Sequence, residues 1–153
     1  MATGPILWHC DRLETLSTPR LYQILQLRAQ VFVVEQDCAY LDIDGQDIHA
    51  FHLYATDAEN ELLAYQRLLP PTPQNPNSHI GRVVVAPKAR GQNLGKELVE
   101  RGIAENLRRW PNAPIHIGAQ AYLKRFYGEL GFVRCGEDYD EDGIPHLPMV
   151  YKG

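Results

Sequence analysis

Between Gly81 and Gly102 the chain sets a β-branched run, a basic glycine-bearing loop and an amphipathic helix in immediate succession. The run is Val83, Val84 and Val85, and it stops at Pro87. The loop reads Arg90-Gly91-Gln92-Asn93-Leu94-Gly95, with Lys96 next and apolar residues continuing at Leu98, Ile103 and Leu107. This order suits anion binding. The first N–H groups of a helix have no partner within it, and the helix dipole favours negative charge there. Gly91 and Gly95 let the backbone come close to a phosphate. The expected ligand therefore carries phosphate. Neither common phosphate loop fits. A P-loop needs Gly-x-x-x-x-Gly-Lys-Ser/Thr, but Gly91 and Gly95 are one residue too close and Glu97 follows Lys96. The Gly-x-Gly-x-x-Gly dinucleotide fingerprint is absent.

Other groups of reactive type are less organised. His49 and His52 are three residues apart, which on a strand puts them on opposite faces, so no metal is expected. Cys10, Cys38 and Cys135 are widely spaced and include no Cys-x-x-Cys pair, so reduced thiols are expected. Acidic residues gather in two stretches. One holds Glu35, Asp37, Asp42, Asp44 and Asp47, the other Glu137, Asp138, Asp140, Glu141 and Asp142.

The elements that must position these groups follow from periodicity. Ile6 to Trp8 reads as a strand. Ser17 or Thr18 caps a helix with Pro19 in its first turn, burying Leu21, Ile24, Leu25, Val31 and Phe32, with Arg28 interrupting the stripe. Residues 38–47 form a loop around Gly45. Phe51 to Ala55 and Leu62 to Leu69 make a strand pair, and proline-rich residues 70–78 a loop. Ile80 to Val85 is a strand, Gly95 to Arg109 a helix, and Ile115 to Ala119 a strand. A helix over Tyr122 to Leu130 stops at Gly131. Phe132 to Cys135 and Leu147 to Tyr151 are the last strands, separated by the second acidic stretch. Hairpins mixed with βα units predict a single α/β domain over residues 1–153 with a mixed sheet.

Bulk properties narrow the function. The 153-residue chain carries 15 basic and 19 acidic residues, a formal charge of −4. That balance argues against general nucleic-acid binding. No signal-peptide pattern opens the chain, and no apolar run is long enough to span a bilayer, so a cytoplasmic protein without membrane contact is expected.

The loop resembles the acyl-coenzyme A pyrophosphate loop of the GNAT superfamily of N-acyltransferases, Arg/Gln-x-x-Gly-x-Gly/Ala. Arg90, Leu94, Gly95, the preceding strand and Pro87 match, while Asn93 stands where the family usually has its first motif glycine. Asn tolerates a left-handed backbone better than most residues. Downstream, Phe126-Tyr127 followed by Gly131-Phe132 resembles the family's helix ending in Tyr-x-x-x-Gly-Phe. The stretches 31–36, 42–47, 118–121 and 142–146 are similar to the ElaA-type subgroup. The resemblance spans nearly the whole chain. It implies a mostly antiparallel mixed sheet, splayed at its central strand and flanked by helices. It also implies acetyl-coenzyme A as co-substrate, with no metal. The pantetheine arm would pair with the backbone of Val83 and Val85. Pyrophosphate would meet the N–H groups from Arg90 through Gly91, Gln92, Asn93 and Gly95 to Lys96. Lys88, Arg90 and Lys96 are candidates for the 3′-phosphate, and Gln120 stands where many members carry a cofactor-binding asparagine. The resemblance makes Tyr127 the general acid for the departing thiolate.

The acceptor side is less defined. A base helps an amine attack a thioester. Glu35 ranks first, because a carboxylate beside Val31-Phe-Val-Val34 is more basic when desolvated. The alternative is a structural ion pair between Glu35 and Arg28. Asp42, Asp44, Asp47, His52 and His146 are the other candidates, and Asp44, His52 and His146 are taken as acceptor contacts. If both acidic stretches line the cleft, they favour a cationic acceptor. The expected function is transfer of an acyl group, acetyl above all, to a primary amine of a small molecule or peptide by direct attack. The alternative is a non-catalytic coenzyme A-binding or regulatory module. The assembly considered is a homodimer.

Overall fold

The computed structural model describes residues 4–153, so the first three residues of the expected 1–153 domain lie outside the described residues. Eight strands form one sheet: β1 (Leu7–Arg12), β2 (Phe51–Thr56), β3 (Leu62–Leu69), β4 (Ser78–Val85), β5 (Ile115–Gln120), β6 (Phe132–Arg134), β7 (Tyr139–Glu141) and β8 (Ile144–Tyr151). Their order is β1-β2-β3-β4-β5-β8-β6, with β7 pairing β8. Only β4 and β5 run parallel. Three α-helices flank the sheet: α1 (Thr18–Arg28), α2 (Leu94–Arg109) and α3 (Lys124–Glu129).

Period-two alternation divides the core between the two faces. Tyr54, Tyr65 and Val84 meet Ile24, Leu27 and Val31 of the first helix and its extension. Leu53, Ala55, Ala64 and Leu68 belong instead to the cluster built with Leu94, Leu98, Val99 and Ile103 of α2 and with Tyr127 of α3. Each of the buried leucine, isoleucine and valine side chains among these contributes about 1.5–3 kcal/mol.

Ser17 caps α1 as expected, accepting the Arg20 N–H at 3.2 Å, with Pro19 in the first turn. The helix then widens into π-helical turns over Ala29–Glu35. Gln36 N–H reaches Val31 O at 3.1 Å, and Cys38 N–H reaches Val33 O at 3.0 Å, both across five residues. The expected stripe is corrected here. Leu21 and Leu25 are only half-buried, whereas Arg28 is wholly buried. The second acidic stretch is no plain turn either. It contains β7, joined to β8 through Asp142-Gly143, both at positive φ as a tight hairpin requires. Pro145 hides the first residues of β8 from a sequence reading, because proline rarely enters a central strand.

Two features create the cleft. β4 and β5 pair only at Ser78↔Ile115 and His79↔His116, so the two halves of the sheet diverge from there on. β4 also bulges. Tyr65 faces Val84 and Arg67 faces Gly81, which leaves Arg82 and Val83 opposite Gln66 alone. Arg82 sits at φ 51°.

Candidate active site

The gap between β4 and β5 opens into a cleft of about 510 Å³, lined by Val83, Val85, Ile117, Gln120 and Tyr127 among others. A second pocket of about 300 Å³ lies at the start of α2 and is lined by Gly91, Asn93, Gly95 and Lys96. Val85, Arg90, Gly95 and Phe126 border both, so the two pockets adjoin.

The strand edge facing the gap presents the Val85 carbonyl. Ala86 N–H donates to Leu63 O at 2.8 Å, toward β3. Neighbouring residues of an antiparallel strand turn their backbone groups to opposite edges. The Val85 carbonyl therefore faces the gap, where it accepts from Arg90 Nε at 3.2 Å. Asn93 is the N-cap of α2, at φ 60°, and its side chain makes no capping bond. Gly91 has φ 81°. Asn93 itself thus makes the left-handed turn at the start of α2. A methyl group on Gly95 would meet Val85 Cγ2 at 3.6 Å, an ordinary contact. Gln92 lies exposed in the same loop. Lys88 pairs with Glu61 and Asp57 and lines neither pocket.

Tyr127 is 6% exposed and lines the cleft, its ring set edge-on to Phe126 and Phe132 at 5.0 and 5.9 Å. Burial raises the pKa of its phenol, with a smaller contribution from Tyr122, so the hydroxyl stays protonated at neutral pH. Gln120 also lines the cleft and donates to Gln36 Oε1 at 3.3 Å, which ties the end of β5 to the end of the π-helical turn.

The acceptor-side expectations divide. Glu35 lines the cleft, but its partner is not Arg28. Both carboxylate oxygens accept from Arg90, at 2.9 and 3.0 Å. Arg28 is bound elsewhere, to Asp42 Oδ2 at 2.9 Å and Asp47 Oδ1 at 2.7 Å. Helical phase explains the correction, since the π-helical turns carry Glu35 round to the cleft while Arg28 faces the sheet. Asp44 and His52 do not line the cleft. Asp44 is held by Arg67 at 2.9 Å and Arg82 at 3.4 Å. His52 is 1% exposed, with Nε2 at 3.0 Å from Asp47 O and Nδ1 at 2.7 Å from the Tyr65 hydroxyl. A carbonyl only accepts, so Nε2 carries the proton and Nδ1 accepts from Tyr65. Burial lowers the His52 pKa and keeps the ring neutral. His146 does line the cleft. Its Nδ1 donates to Ile144 O at 2.7 Å, and its Nε2 lies 3.5 Å from Glu141 Oε2.

Asp42, Asp44 and Asp47 thus form a network with Arg28, Arg67 and Arg82, three charges of each sign. The Asp47 carboxyl has a lowered pKa. Burial works in the opposite direction, but the Arg28 and Arg67 guanidiniums outweigh it. Asp44 is lowered likewise, against burial, by Arg67 and Arg82 and by the Gln46 N–H. The first acidic stretch therefore brings little free negative charge to the cleft, whereas Glu141 and Asp142 of the second line it. The sequence reading missed Arg82, Tyr40 and Cys38 in the cleft wall. Arg28 in an apolar stripe was the one signal that a buried partner had to exist.

A family model for the acetyltransferase (GNAT) domain matches residues 25–152. The chain belongs to the GNAT family. Within it, protein ElaA of Escherichia coli K12 is 41% identical over 146 residues, 95% of each chain. A UPF0039 protein of Synechocystis is 40% identical over 147 residues, 96% of each. The crystal structure of an acyl-CoA N-acyltransferase from Pseudomonas aeruginosa superposes with a TM-score of 0.91 at 43% identity, covering 97% of this chain and 100% of that one. GNAT membership supports an acyltransferase with a coenzyme A thioester as donor. Among the described residues no group of three or more His, Cys, Asp or Glu side chains could hold a metal ion, and no helix is long and apolar enough to cross a membrane.

Proposed function

We propose that this protein transfers an acetyl group from acetyl-coenzyme A to the primary amine of a cationic small molecule or peptide, by direct attack. The observation that carries this reading is the α2 pocket adjoining the β4–β5 cleft through a shared wall, with Tyr127 in the wall of the cleft. The α2 N-terminus, Gly91, Gln92, Asn93, Gly95 and Lys96 hold the pyrophosphate. The backbone of Val83 and Val85 takes the pantetheine amides as an added strand would, and Gln120 supports the arm. Bound there, the thioester supplies the activated acyl carbon. A backbone N–H near Val85 receives the developing oxyanion. Tyr127 delivers its phenolic proton to the leaving sulfur. Glu35, once released from Arg90, takes a proton from the acceptor ammonium so that the neutral amine attacks the acyl carbon, and His146 contacts the acceptor. Glu141 and Asp142 support a cationic acceptor. The protein works in the cytoplasm, as a homodimer.

The test pairs a thermal-shift titration with acetyl-coenzyme A against thioester consumption over cationic, neutral and anionic amines. Stabilisation together with turnover that favours cations is expected. Stabilisation without turnover on any amine would replace this reading with a non-catalytic coenzyme A-binding module.

A further inference from the structure

Arg90 holds two groups at once. Nη1 and Nη2 grip both oxygens of Glu35 at 2.9 and 3.0 Å, and Nε donates to the Val85 carbonyl at 3.2 Å. Glu35 ends the π-helical turn on the acceptor side, while Val85 ends the strand that faces the gap. The side chain thus bridges the cleft wall between the two sides. We infer that Arg90 is a displaceable strap that couples donor occupancy to release of the acceptor-side carboxylate Glu35. The inference rests on the proposed coenzyme A site.

The physical argument is competition for the same atoms. A pantetheine amide added along β4 needs the Val85 carbonyl, which Arg90 Nε now occupies. A pyrophosphate at the start of α2 brings two negative charges beside a loop arginine whose planar fork suits phosphate oxygens. Against these stands one exposed ion pair, Arg90 and Glu35 being about equally open to solvent at 43% and 45% of their side-chain surface. Exposed pairs hold weakly. Donor entry therefore swings the guanidinium off both partners in one movement. Glu35 then faces the cleft without its counter-ion, ready for an ammonium. Before donor entry the same carboxylate is neutralised and attracts no amine. The strap thus makes the acceptor site competent only when the donor is present.

The test is calorimetric titration of coenzyme A into the wild type and the Glu35→Gln variant. Glu35 is exposed, so the variant folds, and a thermal melt checks this. Removing the carboxylate loosens the strap without touching the phosphate loop. The variant should bind coenzyme A about two- to fivefold more tightly. Equal or weaker binding by Glu35→Gln, with the wild type binding normally, would overturn the strap and leave the coenzyme A site standing. Binding by neither protein would instead overturn the proposed function. A second readout is the Arg90 Nε–H resonance, identified by its loss in Arg90→Lys. It should move on coenzyme A addition as the Val85 bond breaks, and an unmoved resonance in the saturated protein would also overturn the strap.

Discussion

Arg28 Nη1 lies 2.7 Å from Asp47 Oδ1, and neither residue is more than 7% exposed. This pair anchors the loop over residues 38–49 to the first helix. Arg67 and Arg82 extend the anchor to β3 and β4, where Arg82 also donates to Asp42 Oδ1 at 2.8 Å from its left-handed position in the bulge. The loop beside the cleft is therefore fixed by buried charge, and its position depends on all six groups.

Arg28→Met should be costly for that reason. It leaves Asp42 and Asp47 buried with one cation fewer, and losing one partner of such a pair costs about 3–5 kcal/mol. Urea unfolding should show the midpoint falling with little change in slope.

Tyr127→Phe removes only a hydroxyl from a well-packed ring. Its kcat should fall about a hundredfold or more, the usual scale of general-acid catalysis, while coenzyme A affinity stays put. Steady-state kinetics set beside a binding titration check both halves, and an unchanged kcat would take Tyr127 out of the reaction.

Asn93 can be tested through its backbone. Asn93→Gly loses no capping bond and should stay within about 0.5 kcal/mol of the wild type, whereas Asn93→Val forces a β-branched residue to φ 60° and should cost about 1–2 kcal/mol. Thermal unfolding of the two variants gives the comparison. Coenzyme A affinity should follow the same order.

Acid should weaken the fold in two stages. Burial lowers the pKa of His52, burial and the facing His116 lower that of His79, and burial and Lys152 lower that of His116, all below the ordinary 6.5. The unfolded chain then binds more protons than the folded one, so stability falls as pH drops through about 6.5, and the loss levels off below the folded values. Asp44 and Asp47, held low by arginine, add a separate loss below their ordinary 3.8. Melting temperatures between pH 7.5 and 5.5 should show the first stage, and His116→Asn should flatten it.

The elements expected to carry the donor were legible from residue order alone. The loop after β4 and the helix carrying Tyr127 are contiguous stretches, and their chemistry depends on local backbone: a left-handed turn, a helix start, a glycine at Gly131 with φ 105°. The acceptor side was not legible in the same way. Asp44 and His52 have suitable types but point into the network, and Glu35 meets a partner 55 residues away.

The sequence by itself determined most of the strands and helices, the left-handed turn before α2 and the family pattern, because these arise from short-range periodicity and steric rules. Tertiary structure alone decided which carboxylates remain available to the cleft. Ion pairing depends on helical phase, on the π-helical widening after Arg28 and on the bulge at Arg82, and each of these is set by packing between distant segments. Residue type marks a group as able to take a proton, but the partner brought beside it determines whether it can.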